Sequence, residues 1–144
     1  MDAKAMIEGC RAHSLFTWSR GRDVDPLPVV GAQGAWLQCA EGERLLDFNS
    51  QSMNAHLGHA HPRLVAAIKA QADQLVSAAP AWATEVRARV SAKLAAVLPG
   101  DLNKLLYTLG GAEANENAVR MARAVTGRQK ILSRYRSYHG ATSG

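Results

Sequence analysis

The feature that most constrains this chain is a strand, glycine-pair, helix, strand succession in its last third. Lys104-Leu105-Leu106-Tyr107-Thr108-Leu109 has the length and apolar content of a buried strand, and Gly110-Gly111 makes a tight turn after it. Ala112 to Thr126 reads as a helix with Ala118, Met121, Ala122 and Val125 on its inward face. Gly127 stands at its exit and Lys130 to Ser133 reads as a second strand. This order predicts an α/β fold with a parallel sheet, because two parallel strands need a crossover of helix length to join them.

Upstream, residues 2 to 12 read as a short helix, and residues 21 to 28, with two Asp and two Pro, as a turn-rich connector. Val29 to Ala40, interrupted by Gly31 and Gly34, and Arg44 to Phe48 are expected as two strands joined by Glu41-Gly42-Glu43. After an irregular stretch from 50 to 61, Pro62 sits where a first helical residue tolerates proline. Leu64, Val65, Ile68, Ala72, Leu75, Val76 and Ala79 then share one helical face, predicting a helix that runs to the residue before Pro80. A second helix is expected from Thr84 as N-cap, with Val86, Val90, Leu94, Val97 and Leu98 on one face and a stop at Pro99-Gly100. There is no internal repeat.

Composition narrows the function classes. With 47% hydrophobic and 20% charged residues over 144 positions, the chain is neither disordered nor fibrous. No apolar run approaches the length of about 20 that spans a bilayer, and no signal-peptide core follows Met1. Cys10 and Cys39 form no C-x-x-C pair and no disulfide framework, so a reducing, cytoplasmic setting is expected. After Glu116 there is no acid, while Arg120, Arg123, Arg128, Lys130, Arg134 and Arg136 follow; these are read as a solvated helix face and loop cations, or as groups facing an anion or an acidic surface. No aromatic stripe accompanies them, which disfavours nucleic acid.

Three places carry candidate chemistry. Gly110-Gly111 before a helix lets the backbone approach a ligand, and the first helical amides, with the positive end of the helix dipole, suit a phosphate. The pattern is neither a P-loop nor a dinucleotide fingerprint, since the lysine of one and the third glycine of the other are missing. Beyond the second strand, Tyr138-His139-Gly140 would lie at the same sheet edge, where a tyrosine ring can lie flat on a planar ligand and His139 can donate or accept a hydrogen bond. His56-Leu57-Gly58-His59-Ala60-His61 has spacing for two or three imidazoles around zinc or nickel, but no Cys, Asp or Glu in the loop completes a set, and a structural loop is the simpler reading.

Tyr107-Thr108-Leu109-Gly110-Gly111-Ala112-Glu113-Ala114-Asn115-Glu116-Asn117-Ala118-Val119-Arg120-Met121-Ala122-Arg123, with Thr126-Gly127-Arg128 and Tyr138-His139-Gly140 after it, resembles the class III aminotransferases, fold-type I enzymes that depend on pyridoxal 5′-phosphate. Leu46-Asp47-Phe48-Asn49-Ser50 and Leu57-Gly58-His59-Ala60-His61-Pro62 agree with the same family, and the likeness runs from about Phe16 onward. The resemblance implies that residues 1–62 are an N-terminal segment of the small domain and 63–144 the incomplete start of the large, cofactor-binding domain. It implies that Gly111 and Ala112 hold the cofactor phosphate through main-chain amides, that Tyr138 stacks on the pyridine ring with His139 beside it, and that Trp18 and Met53 lie near the substrate pocket, with no metal. Ala112 stands where many relatives carry a hydroxyl, and Glu113 is expected to point outward and favour the helix start electrostatically.

The family's chemistry requires a lysine that holds the cofactor as a Schiff base, and none of Lys4, Lys69, Lys93, Lys104 and Lys130 lies in the matching motif. No catalytic residue is therefore assigned in this chain. The expected function is that of an N-terminal portion of a transaminase moving an amino group from an amine or ω-amino acid, of the taurine, β-alanine or 4-aminobutyrate type, to a 2-oxo acid, in a homodimer or higher assembly. The 144 residues are read as a truncation, proteolytic product or split-gene piece, inactive alone. A catalytically inactive binding or assembly module and a His-based metal module are the alternatives.

Overall fold

A computed structural model describes residues 1–142. The chain divides into two compact units, Met1–Ser77 and Ala78–Gly144.

In the first unit, α1 (Ala3–His13) starts on Asp2, whose carboxylate accepts from the Ala5 amide at 2.8 Å. Near its end, Arg11 donates to the Val24 carbonyl at 2.7 and 3.0 Å and to Asp25 at 3.0 Å, tying the helix to the turn-rich connector. β1 (Val29–Gln33), β2 (Trp36–Cys39) and β3 (Arg44–Leu46) form an antiparallel sheet in that order. The stretch expected as a single strand from Val29 to Ala40 is thus two strands. Gly34, at φ +58°, and Ala35 make a two-residue turn between Gln33 and Trp36, which face each other across the ladder. The second turn is where the sequence placed it: Gly42 adopts φ +90° and donates to the Cys39 carbonyl. Cys39 is buried, as a small hydrophobe should be, together with Ala3 and Val24.

The polypeptide then makes one turn wound with left-handed backbone, α2 (Ser50–Met53), with φ between 49° and 66° at all four residues. The loop after it is pinned to the first β-turn by two backbone bonds, Gly34 N–H to the His59 carbonyl at 2.9 Å and His59 N–H to the Gly34 carbonyl at 2.7 Å. Gly58, at φ +82°, allows this approach, since a Cβ there would stand 3.2 Å from the Gly34 Cα. α3 (Pro62–Gln74) begins on its proline but stops five residues short of Ala79. Leu75 is extended and the Gln71 side-chain amide donates to its carbonyl, closing the helix end, so Leu75, Val76 and Ala79 lie beyond the helix.

The second unit opens with a loop held by Arg87, which donates to the carbonyls of Pro80 and Trp82. α4 (Glu85–Ala95) starts on Thr84 as expected, and Val97 and Leu98 follow its end. α5 (Gly111–Thr126) closes on Gly127 in the left-handed region, φ +68°. Residues 104–109 and 130–133, expected as parallel strands, form no ladder among the described residues. A crossover connection does not oblige its two strands to be neighbours, and a strand exists only where another segment supplies its hydrogen-bond partners.

The two glycines separate conformational from steric cost. Gly42→Ala meets open space and carries only the left-handed penalty, roughly 1–2 kcal/mol, whereas Gly58→Ala adds the clash with Gly34. Urea denaturation is expected to show the larger loss for Gly58→Ala.

Candidate functional site

The site is built around the start of α5. Gly110 is extended (φ −166°, ψ 168°) and, with no side-chain cap, leaves the turn open. The first helical bond runs from the Ala114 amide to the Gly110 carbonyl at 3.0 Å, so the amides of Gly111, Ala112 and Glu113 precede the ladder and have no helical acceptor. Added Cβ atoms at Gly110 and Gly111 would meet nothing within 4 Å, so no neighbouring segment packs against the turn on that side. Glu113 does not cap the helix from within. Its carboxylate reaches back to the Leu109 amide at 2.8 Å, a variant of the capping box that fixes the strand-to-helix turn. Thr108 donates from its hydroxyl to the Gly110 carbonyl at 3.1 Å and holds the same turn from the other side.

The Tyr138-His139-Gly140 segment is fastened to this helix start. Asn115 Nδ2 donates to the His139 carbonyl at 2.8 Å. Gly140, at φ +124°, lies so close that a Cβ there would stand 2.6 Å from Ala112 Cβ. The structure therefore brings Gly111, Ala112 and His139 into one neighbourhood, with the exposed Tyr138 next in sequence. Asn115 was not singled out by the sequence; an Asn one turn inside a helix after Gly-Gly was its only signal. Trp18 (φ +65°) and Met53 (φ +66°) belong to the first unit, and both side chains are largely exposed.

The His56–His61 motif is engaged differently. His59 Nε2 lies 2.6 Å from Asp47 Oδ2, with about nine-tenths of both side chains removed from solvent. One of its two ring nitrogens is thus committed to a carboxylate twelve residues upstream. Among the described residues, no group of three or more His, Cys, Asp or Glu is placed to hold a metal ion.

The sequence profile of the class-III aminotransferases matches residues 17–144. The chain belongs to the class III aminotransferases. Pyridoxal 5′-phosphate is the cofactor of this family. The aminotransferase chain is 32% identical over 144 residues to an acetylornithine aminotransferase of Methanopyrus kandleri, covering all of this chain and 35% of that protein. It is 37% identical over 120 residues to an isoleucine 2-epimerase of Lentilactobacillus buchneri, 82% of this chain and 27% of that one. Among solved structures it is similar to the taurine:2-oxoglutarate aminotransferase of Bifidobacterium kashiwanohense in complex with pyridoxal phosphate and glutamate, with TM-score 0.91, 38% identity, 99% of this chain and 32% of that chain covered. The chain thus spans about a third of the length of these relatives. Among the described residues, no helix of this class III aminotransferase chain is long and apolar enough to cross a membrane.

The Asp47–His59 bond gives this chain a pH signature. His59 holds the Asp47 carboxyl below its ordinary 3.8, burial opposes this, and the amides of Ser50 and Asn49 act with His59. A carboxyl whose pKa is lower folded than unfolded contributes stability above the unfolded value, and that contribution disappears as pH falls through the folded value. Urea midpoints of the wild type and Asp47→Asn, measured from pH 7 down to pH 3, are expected to differ most at neutral pH and to converge below the ordinary carboxylate range.

Proposed function

We propose that the protein is the N-terminal portion of a pyridoxal-phosphate-dependent transaminase that moves an amino group from an amine or ω-amino acid to a 2-oxo acid. The observation that carries this reading is the open glycine turn at the start of α5, onto which Asn115 fastens the Tyr138–Gly140 segment. In it, the amides of Gly111 and Ala112 bind the cofactor phosphate, and the positive end of α5 favours its charge. Ala112 offers no hydroxyl, so backbone and dipole do this holding. Tyr138 keeps the pyridine ring flat against its own, and His139 sits beside it with its carbonyl fixed by Asn115.

When bound, pyridoxal 5′-phosphate supplies the electron sink that lets a donor carbon release its proton. The chain's own residues orient that group. The lysine that takes up the proton is assigned to another part of the complete protein, and the 144 residues alone are inactive in this reading. Segments 104–109 and 130–133 are the first two strands of the large-domain sheet, residues 1–62 belong to the small domain, and the working unit is a homodimer or higher assembly. Similarity to a taurine:2-oxoglutarate aminotransferase supports an ω-amino acid donor and a 2-oxo acid acceptor. Trp18 and Met53 are assigned to the donor pocket.

The decisive experiment expresses the complete reading frame, loads it with cofactor and follows amino transfer from taurine, β-alanine and 4-aminobutyrate to pyruvate and 2-oxoglutarate. Transfer from at least one donor is expected; a loaded protein that transfers none, or only epimerises amino acids, overturns the reading. In the same protein, Asn115→Ala removes a hydrogen bond worth about 1 kcal/mol. Cofactor titration is expected to show affinity about fivefold weaker.

A further inference from the structure

The Asp47 carboxylate has two sets of partners on either side of α2. One oxygen, Oδ1, accepts from the Asn49 amide at 3.1 Å, just before Ser50. The other, Oδ2, meets His59 Nε2 at 2.6 Å, six residues after Met53. His59 is itself anchored to the sheet through its paired backbone bonds with Gly34, and the Asp47 amide donates to the Ala35 carbonyl at 2.8 Å. Both ends of the segment therefore return to one β-turn. What lies between them is backbone that no free chain of Ser, Gln, Ser and Met would choose, four successive left-handed residues without a glycine. Within the turn, the amides of Asn54 and Ala55 both donate to the Ser50 carbonyl, which closes it but does not offset left-handed backbone at every position.

We propose that the Asp47–His59 pair is a positioning device that holds the left-handed turn Ser50–Met53 in place, and through it sets which amino donors Met53 admits. The pair is a clamp: its carboxylate fixes the entry to the turn and its imidazole the exit. Met53, exposed at the end of the turn, is displaced when the clamp opens. Only the meaning of Met53 for donor choice rests on the proposed transaminase activity; the clamp itself does not.

Phe48 and Leu57, both exposed and both inside the clamped segment, make chymotrypsin a probe of the clamp that needs no activity, and Trp36 in β2 reports on the sheet. In the complete protein at neutral pH, His59→Ala is expected to raise cutting after Phe48 and Leu57 about tenfold, without matching acceleration after Trp36. His59→Gln, whose amide nitrogen falls near Nε2, is expected to restore most of the protection. Equal cutting of wild type and His59→Ala at Phe48 overturns the proposal. If His59→Ala also frees Trp36, the His59→Gln chain decides: protection like the wild type supports the clamp, and protection lost in full overturns it.

In the cofactor-loaded complete protein, His59→Ala is expected to shift the ratio of kcat/KM between a bulky and a small donor about tenfold, a typical value for a displaced apolar contact. His59→Gln is expected to leave that ratio near the wild-type one. A ratio unmoved by His59→Ala, in a protein that still transaminates, overturns the donor role. A protein with no transamination at all overturns the proposed function, while the proteolysis result stands on its own.

Discussion

A helix cannot satisfy its own first amides, and the arrangement of the second unit follows from how this chain leaves them. A Ser, Thr or Asp at the N-cap would accept from these donors and stabilise the helix by about 1 kcal/mol. The chain places Gly110 there instead and gives the nearby carboxylate, Glu113, to Leu109 outside the helix. The turn is thereby fixed while the first amides of α5 keep no side-chain cap. In the proposed function, stability forgone at the cap is retained as capacity to bind the cofactor phosphate, and glycine lets the backbone approach it closely.

The first unit solves the opposite problem, holding a conformation the chain resists. Four non-glycine residues in the left-handed region cost on the order of 4–8 kcal/mol together. Such backbone persists where surroundings over-determine it, and here the surroundings are a carboxylate, an imidazole and a two-bond backbone bridge to Gly34. The glycines sit beside the strained turn rather than in it. Gly58 and Gly34 provide the close approach that fixes the loop, so the cost at Ser50–Met53 is offset by contacts their missing side chains permit.

Local signals in the sequence reported local structure well. Thr84, Pro62, Gly42 and Gly127 each mark a boundary that the structure keeps, because capping and turn geometry depend on a few adjacent residues. The sequence pattern overruns α3 because Leu75, Val76 and Ala79 continue an apolar period although Gln71 ends the helix with its own side chain. Gly34 looks like an interruption within one strand because a turn of two residues leaves the alternation on either side intact. At the start of α5, the Gly-Gly turn is legible from the sequence, whereas the part played by Asn115 is not, since it is a bond to a carbonyl twenty-four residues away. Asp47 was visible only as part of a family signature; its pairing with His59 required knowing that Gly34 draws the two segments together.

The exposed apolar residues bear on how the family's profile should be understood. Leu106, Leu109, Met121, Val125 and Leu132 carry the strand and helix pattern of a buried βαβ unit, yet each is more than half exposed among the described residues. A pattern of this kind records what a sequence is suited to pack against, and this chain spans about a third of its relatives' length. The hydrogen bonds at the start of α5 are different. Leu109 to Glu113 and Thr108 to Gly110 close within four residues, so the strand-to-helix turn is encoded locally even where the sheet around it is not, while Asn115 to His139 spans twenty-four residues. Turn and core are therefore separable in this chain: the geometry of the Gly110-Gly111 turn is specified by short-range bonds, whereas a sheet needs partners distant in sequence.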